Sequence, residues 1–336
     1  MSDFLILTPV YDDWDSLGLL LPRLEAVLAR EGLSAEILVV NDGSSTEPPA
    51  HVIGGGGFRA IRRVRVLDLR RNLGHQRAIA IGLCQLHSEG AGLPVVVMDA
   101  DGEDDPADVV RLVRASGEEP PDHVVFASRA YRSEGLLFKM FYPLYRMLFR
   151  LFTGQSIRFG NFSVLSPEAL SRVVVLSEVW NHFSAGVLRS RIPYVAVPCV
   201  RADRLAGRSH MNFVSLVTHG LSAVAVYGDV IGTRALLLTF ALTVVTILST
   251  GVALVVGLLT DAVMPGWAGY ALGIAAVVLI QAGTLSLFFA FIALMGRSAL
   301  GIIPIRDFQA FVGRVLIRYE EAAASGAVVA EADDGP

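Results

Sequence analysis

The chain has 336 residues, 53% of them hydrophobic, with 28 Lys and Arg against 32 Asp and Glu for a net charge of −4. That balance offers no basic face for nucleic acid, and two cysteines, Cys84 and Cys199, are too few and too far apart for a disulfide framework or a zinc site. The length allows more than one structural unit, and the apolar excess sits mostly after residue 235, so a soluble part is followed by a membrane part.

The N-terminal stretch "MSDFLILTPVYDD" has no basic region before its apolar run. It reads as a first strand, Phe4 to Val10, and not as a signal peptide, which places the soluble part in the cytoplasm. Leu17, Leu20, Leu21, Leu24, Val27 and Leu28 then recur at helical spacing. "EILVVNDGSS" is a second strand, stopped by Asn41, Asp42 and Gly43. "VRVLDL" (Val64 to Leu69) is a third, "PVVVMDA" a fourth and "HVVFASRAY" a fifth. Gly54 to Gly57 form a loop without phosphate-loop spacing. Apolar strands alternating with helices predict an α/β domain with a mostly parallel sheet. Such sheets bind ligands beyond the carboxyl ends of their strands, and there the polar residues Tyr11, Asp13, Asp42, Asp99 and Asp101 collect.

The fourth strand runs into five carboxylates in "PVVVMDADGEDDP". Two of them, Asp99 and Asp101, flank one alanine, and carboxylates so close in a cleft need a positive partner. Hard oxygen ligands suit Mg²⁺ or Mn²⁺ together with substrate phosphates. The competing reading is a solvated acidic loop that caps a helix starting near Pro106, with Asp104 or Asp105 as N-cap.

Further on, "GLLFKMFYPLYRMLFRLFTG" fits an amphipathic interfacial helix, with Phe138, Phe141, Tyr142, Tyr145, Leu148, Phe149 and Phe152 on one side and Lys139, Arg146 and Arg150 able to reach headgroups. A core-packing helix is the alternative. Leu236 to Leu259 and Ala268 to Met295 are each long enough to span about 30 Å of hydrocarbon. Arg234 precedes them and Arg297, Arg306, Arg314 and Arg318 follow. The linker "TDAVMPGW" carries no base, so both flanks are expected in the cytoplasm. Trp267 and Tyr270 stand where interfacial aromatics belong, and "SGAVVAEADDGP" reads as a disordered tail.

"TPVYDD", "VVNDGSS", "RRNLGHQRAIAIGL" and "VVVMDADGEDDP", in this order and spacing, resemble glycosyltransferase family 2 and its GT-A fold. With two spans after the domain, the chain resembles the polyprenyl-phosphate glycosyltransferases within it, the group that includes dolichyl-phosphate mannose synthase. The likeness covers roughly residues 3 to 300. It implies that Pro9, Tyr11 and Asp13 line the nucleotide pocket and that Asp42 accepts a hydrogen bond from the base. It also implies that Asp99, Asp101 and Glu103 hold a Mg²⁺ or Mn²⁺ cofactor on the diphosphate. Arg129 and Arg132 match paired arginines suited to phosphate oxygens, and Asn72, Gly74 and Arg77 match a helix start. Arg201, Arg204, Gly207 and Ser209 match an acceptor-side loop, in which His210 and Met211 replace the commoner Lys and Tyr. Asn161 and Ser163, in "GNFSVL", replace an Asp and an Arg, the Asp being the residue often assigned as base. A phosphate monoester acceptor is already anionic, with a second pKa of about 6, and hardly needs a base. His182 reads as structural.

The implied activity is metal-dependent, inverting transfer of a sugar from a UDP- or GDP-sugar to polyprenyl (undecaprenyl) phosphate on the cytoplasmic face of a bacterial inner membrane. Asp101, Asn161, Arg129 and Arg132 are its catalytic candidates, and a homo-oligomer is a family-level expectation. The expected organisation is a nucleotide-sugar half over 1–133 and an acceptor-side half over 134–233. A membrane hairpin over 234–296 and a C-terminal segment over 297–336 follow. A processive polysaccharide synthase fits less well, because no Q-x-x-R-W segment is present. A membrane-anchored pseudoenzyme or scaffold, or a transferase with another acceptor, stays open.

Overall fold

The computed structural model describes residues 3–49, 52, 57–129, 147, 150, 153–154, 159–207, 221–260, 266–298 and 301–320. The chain divides into two units, one built from residues 1–132, 158–210 and 303–336, the other from 133–157 and 211–302.

The first unit carries β1 (Phe4–Val10), α1 (Trp14–Glu31), β2 (Ala35–Asn41), β3 (Ile61–Leu69), α2 (His75–Glu89), β4 (Val95–Val97) and α3 (Pro106–Glu118). It continues through β5 (Val124–Arg129), β6 (Phe159–Leu165), α4 (Pro167–Val173), α5 (Phe183–Arg189) and β7 (Tyr194–Cys199). It closes with the single turn α6 (Pro304–Asp307) and β8 (Val312–Glu320). Eight strands form one sheet in the order β7-β5-β6-β4-β1-β2-β3-β8. The pairs β1–β2, β1–β4, β2–β3 and β5–β7 are parallel, as the alternating pattern predicts. The sheet is nevertheless mixed, because β6 lies antiparallel between β4 and β5, and β8 lies antiparallel on β3. A strand–helix alternation signals parallel pairing, and it does not register a strand that enters the sheet in the opposite direction.

Burial follows the pattern of the side chains. Every residue of β1 is buried, as a strand covered on both faces requires. The helical face Leu17, Leu20, Leu21, Leu24 and Leu28 of α1 joins Phe4, Ile6, Ile37, Val39 and Val96 in one core. Gly32 ends α1 in the left-handed region, where a residue without Cβ is unstrained. The N-cap of α3 is Asp105, whose carboxylate accepts from the Ala107 N–H at 2.8 Å.

The second unit contains two long helices, α7 (Gly228–Thr260) and α8 (Gly266–Ser298). Thr239 Oγ1 and Ser286 Oγ lie 3.2 Å apart between them, and Gly232 and Gly283 lie where they approach. Small residues at a crossing let apolar helices pack closely. Gly228–Val256 and Gly269–Ile292 are long and apolar enough to cross a membrane. Leu237, Phe240, Ile247, Val252, Ile274, Ile280 and Phe288 all stand exposed, and a helix apolar all round with no protein over it suits lipid better than water.

Candidate active site

Four parallel strands end on one side of the first unit, and their loops supply the polar groups. After β1, the Asp12 carboxylate accepts from the Ser45 N–H at 2.7 Å and Oγ at 2.9 Å, tying this loop to the one after β2. Pro9 is buried in β1, and Tyr11 is 44% exposed at its mouth. After β2, Asp42 is buried and accepts from the Leu73 N–H at 2.7 Å and the Gly74 N–H at 2.9 Å. Burial pushes its pKa up more than those two N–H groups pull it down. Gly43 (φ +69°) has no room for a side chain, since a Cβ would lie 2.4 Å from the Asn72 nitrogen. The loops after β2 and β3 therefore touch backbone to backbone.

The acidic loop after β4 is internally braced. Asp104 is buried and accepts from the Asp99 N–H at 3.0 Å, and Asp101 Oδ1 accepts from the Glu103 N–H at 3.0 Å. The segment after β7 lies along it. The Leu205 N–H donates to the Asp101 carbonyl at 2.9 Å, and the Ala202 N–H donates to the Glu103 carbonyl at 3.0 Å. Arg204 donates to both Asp101 Oδ2, at 3.0 Å, and Asp13 Oδ2, while Arg201 pairs with Glu103. Arg204 is thus a positive partner for Asp101, and Arg201 one for Glu103. Burial and the neighbouring Asp99 still push the Asp101 carboxyl up to about 6, against the pull of Arg204 and Arg201.

The β4–β6 register pairs Val95 with Leu165 and Val97 with Ser163. Continued two residues, it sets Asn161 across from Asp99. Between them stands His75, the first residue of α2, which the sequence reading did not single out. Its Nε2 lies 3.2 Å from Asp99 Oδ1 and 3.0 Å from Asn161 Nδ2. Gln76 Nε2 donates to Asn161 Oδ1 at 3.3 Å, and the Phe183 N–H donates to Gln76 Oε1 at 2.6 Å. Desolvation lowers the pKa of His75, whose side chain is still 42% exposed, but the charge of Asp99 and its hydrogen bond, with the charges of Asp101 and Asp42, outweigh it and the net direction is up. A lone histidine in a helical pattern carries no signal by itself. Its place at the start of the helix after β3 is readable in the sequence, but only the fold shows that it faces the end of β4.

The other candidates divide. Arg129 ends β5, in register with Cys199. Arg132 and Ser209 lie outside the described residues, as do His210, Met211 and nearly all of the proposed interfacial helix. Arg77 donates to the Leu73 carbonyl at 3.2 Å and lies over the Trp180 ring. The His182 ring accepts from the Ala185 N–H at 3.3 Å and so caps α5, as its structural reading expects. Among the described residues no three His, Cys, Asp or Glu side chains already converge as a metal set. The donor chemistry still fits a hard divalent ion, since Asp99 and Asp101 offer carboxylate oxygens and such ions take the rest of their shell from water and phosphate.

The chain is similar to several known proteins. A Klebsiella pneumoniae protein named undecaprenyl-phosphate 4-deoxy-4-formamido-L-arabinose transferase is 28% identical over 244 residues, covering 67% of this chain and 71% of its own. A Bacillus subtilis protein named uncharacterized glycosyltransferase YkcC is 26% identical over 235 residues, 66% of this chain and 67% of its own. The crystal structure of Mycobacterium tuberculosis glucosyl-3-phosphoglycerate synthase with Mn²⁺, UDP-glucose and phosphoglyceric acid is 15% identical. It covers 69% of this chain and 80% of its own, with a TM-score of 0.48. The sequence model described as Glycosyl transferase family 2 matches residues 5–179. With its GT-A-like mixed sheet and that match over more than half its length, the chain belongs to glycosyltransferase family 2.

Proposed function

We propose that this glycosyltransferase moves a sugar from a UDP- or GDP-sugar to polyprenyl phosphate, with inversion, at the cytoplasmic face of a bacterial inner membrane. The observation that carries the reading is the acidic edge of Asp13, Asp99 and Asp101 at the carboxyl ends of β1 and β4, lined by Arg201 and Arg204. Anionic and cationic forks side by side suit a diphosphate and its counter-ion. The two membrane-length helices and the undecaprenyl phosphate named in the Klebsiella relative support a lipid-linked acceptor.

In this reading Pro9, Tyr11 and Asp42 seat the nucleotide. Asp99 and Asp101, with Glu103 beside them, would hold Mg²⁺ or Mn²⁺, which would draw negative charge from the diphosphate. Arg129 and Arg132 hold acceptor or leaving-group oxygens. An acceptor phosphate oxygen forms the bond to the anomeric carbon as the bond from that carbon to the diphosphate oxygen breaks. The electron pair leaves on the nucleoside diphosphate. Because the acceptor is anionic before it attacks, no proton must be removed, and Asn161 in place of a carboxylate is no obstacle. Asn161, held by Gln76 and His75, orients the sugar or the acceptor phosphate.

The test is turnover by the purified full chain with undecaprenyl phosphate, Mg²⁺ or Mn²⁺ and a panel of UDP- and GDP-sugars, read as sugar-phosphate lipid by mass spectrometry. One donor is expected to give product, and Asp101→Asn is expected to lower the rate by about 100-fold or more. Nucleotide binding without product from any donor would instead favour a scaffold, or an acceptor of another kind.

A further inference from the structure

Arg204 sits where a metal ion's charge is wanted. It reaches the carboxylates of both Asp13 and Asp101, and its Nε donates to the Ala206 carbonyl at 2.9 Å. Asp13 is held in turn by the Ser16 hydroxyl at 2.6 Å. The backbone around the arginine is pinned independently, through Leu205 N–H to Asp101 and Ala202 N–H to Glu103. The Leu205 side chain fills the space over Gly102, where a Cβ would lie 2.3 Å from its Cγ. The guanidinium can therefore leave the carboxylates by side-chain rotation alone, with the loop still in place.

We propose that Arg204 is a built-in counter-cation for the acidic edge, exchanged for the divalent ion when a nucleoside diphosphate binds. A guanidinium and a divalent cation on the same Asp101 carboxylate repel each other strongly in a partly desolvated cleft. Metal alone must displace Arg204 and leave it without an anion. A diphosphate changes this, because its oxygens offer the guanidinium fork a better-matched partner than the carboxylates it gives up. Metal and diphosphate are then each needed to release the other's competitor, and the site loads both together or neither. The proposal rests on the reading of this edge as the metal–diphosphate site but not on the identity of the acceptor.

The experiment is Mn²⁺ binding to the detergent-solubilised full chain, read from the free-ion electron paramagnetic resonance signal, without nucleotide and with UDP or GDP. Mn²⁺ alone is expected to bind Arg204→Gln more tightly than wild type, within the 5- to 150-fold range roughly typical of coupled sites. The nucleotide is expected to strengthen Mn²⁺ binding less in the variant than in wild type. Bridging of the ion by a diphosphate would by itself couple the two ligands in wild type, but it would not tighten binding of the ion alone in the variant. Arg77→Gln removes a nearby cation that does not touch Asp101 and controls for the general field. Arg204→Lys, which keeps the charge and loses the fork, serves if the glutamine variant does not fold and is expected to show the weakened coupling. Unchanged or weaker Mn²⁺ binding in Arg204→Gln, equal tightening in Arg77→Gln, or full coupling in Arg204→Lys would overturn the proposal. Turnover with polyprenyl phosphate is measured separately, so failure of the acceptor reading leaves this result interpretable.

Discussion

At the scale of single residues, the two thiols give a test of how closed the first unit is. Cys84 is buried in α2, and burial pushes its pKa up to about 12. Cys199, buried at the end of β7, is also pushed up to about 12, by burial first and then by the charge of Asp108. An ordinary thiol ionises near 8.5, so at pH 8 the native thiolate fraction at both residues is far below that of a free thiol. Both residues are expected to resist a disulfide reagent at pH 8 and to react at once in denaturant. The sign of the linkage follows. A raised native pKa favours the protonated thiol, so this contribution to stability is intact below about pH 8.5 and is lost as pH rises toward 12. Fast reaction of either thiol in the native protein would show that its strand or helix opens. Asp99 and Asp101 were legible beforehand because charge at the end of an apolar strand is conspicuous. His75 was not, because its meaning depends on the β4–β6 register that sets Asn161 opposite Asp99, and register is a property of paired strands.

At the scale of elements, the acidic loop and the segment after β7 form one piece, and Gly102 is its joint. Gly102 has φ +81°, and Leu205 occupies the position of its missing Cβ. Gly102→Ala therefore combines left-handed backbone strain with overpacking, at a cost of about 1–3 kcal/mol. It is expected to lower the thermal midpoint and to speed proteolysis within residues 200–207. Adding Leu205→Ala should restore the part due to crowding and leave the backbone part, which a double-mutant cycle separates. A midpoint unchanged in Gly102→Ala would mean that the two segments do not pack as described. β1 to β5 were readable because each is a short apolar run closed by a turn residue. β7 was not, since Pro198 interrupts its apolar run, and a proline inside such a run argues against a strand except at a sheet edge, where β7 lies. The tie between the loops needed the fold, because Asp101 and Leu205 are distant in sequence.

At the scale of the whole molecule, the chain order matters more than the composition suggests. The apolar helices α7 and α8 invite the reading that the catalytic part ends before them, yet residues 303–320 return to the first unit. β8 pairs with β3 from Arg63–Glu320 to Leu69–Val312. Tyr319 Oη donates to the Phe58 carbonyl at 2.6 Å, and Arg314 pairs with Asp68 at 2.6 Å. Phe308 is buried, Phe311 packs on Trp180 with ring centroids 5.1 Å apart, and the Ile305 N–H donates to the Val174 carbonyl at 3.1 Å. None of this shows in a segment whose basic residues read as membrane flank. A stop after Ile302 keeps both long helices and removes this strand. It uncovers the edge of β3, with unpaired backbone groups that template association. It also removes a buried phenylalanine, a deletion that costs about 3–5 kcal/mol on its own. At roughly 2–4 °C per kcal/mol for a unit of this size, the midpoint of the first unit is expected to drop by about 6 °C or more, with aggregation. Tyr319→Phe, which loses only one hydrogen bond, should cost about 1 kcal/mol and leave the protein monodisperse. If the truncated chain melts like the full one, β8 is not part of the catalytic sheet. The two long helices would then stand at the end of the functional chain and not as an insertion between its last two strands.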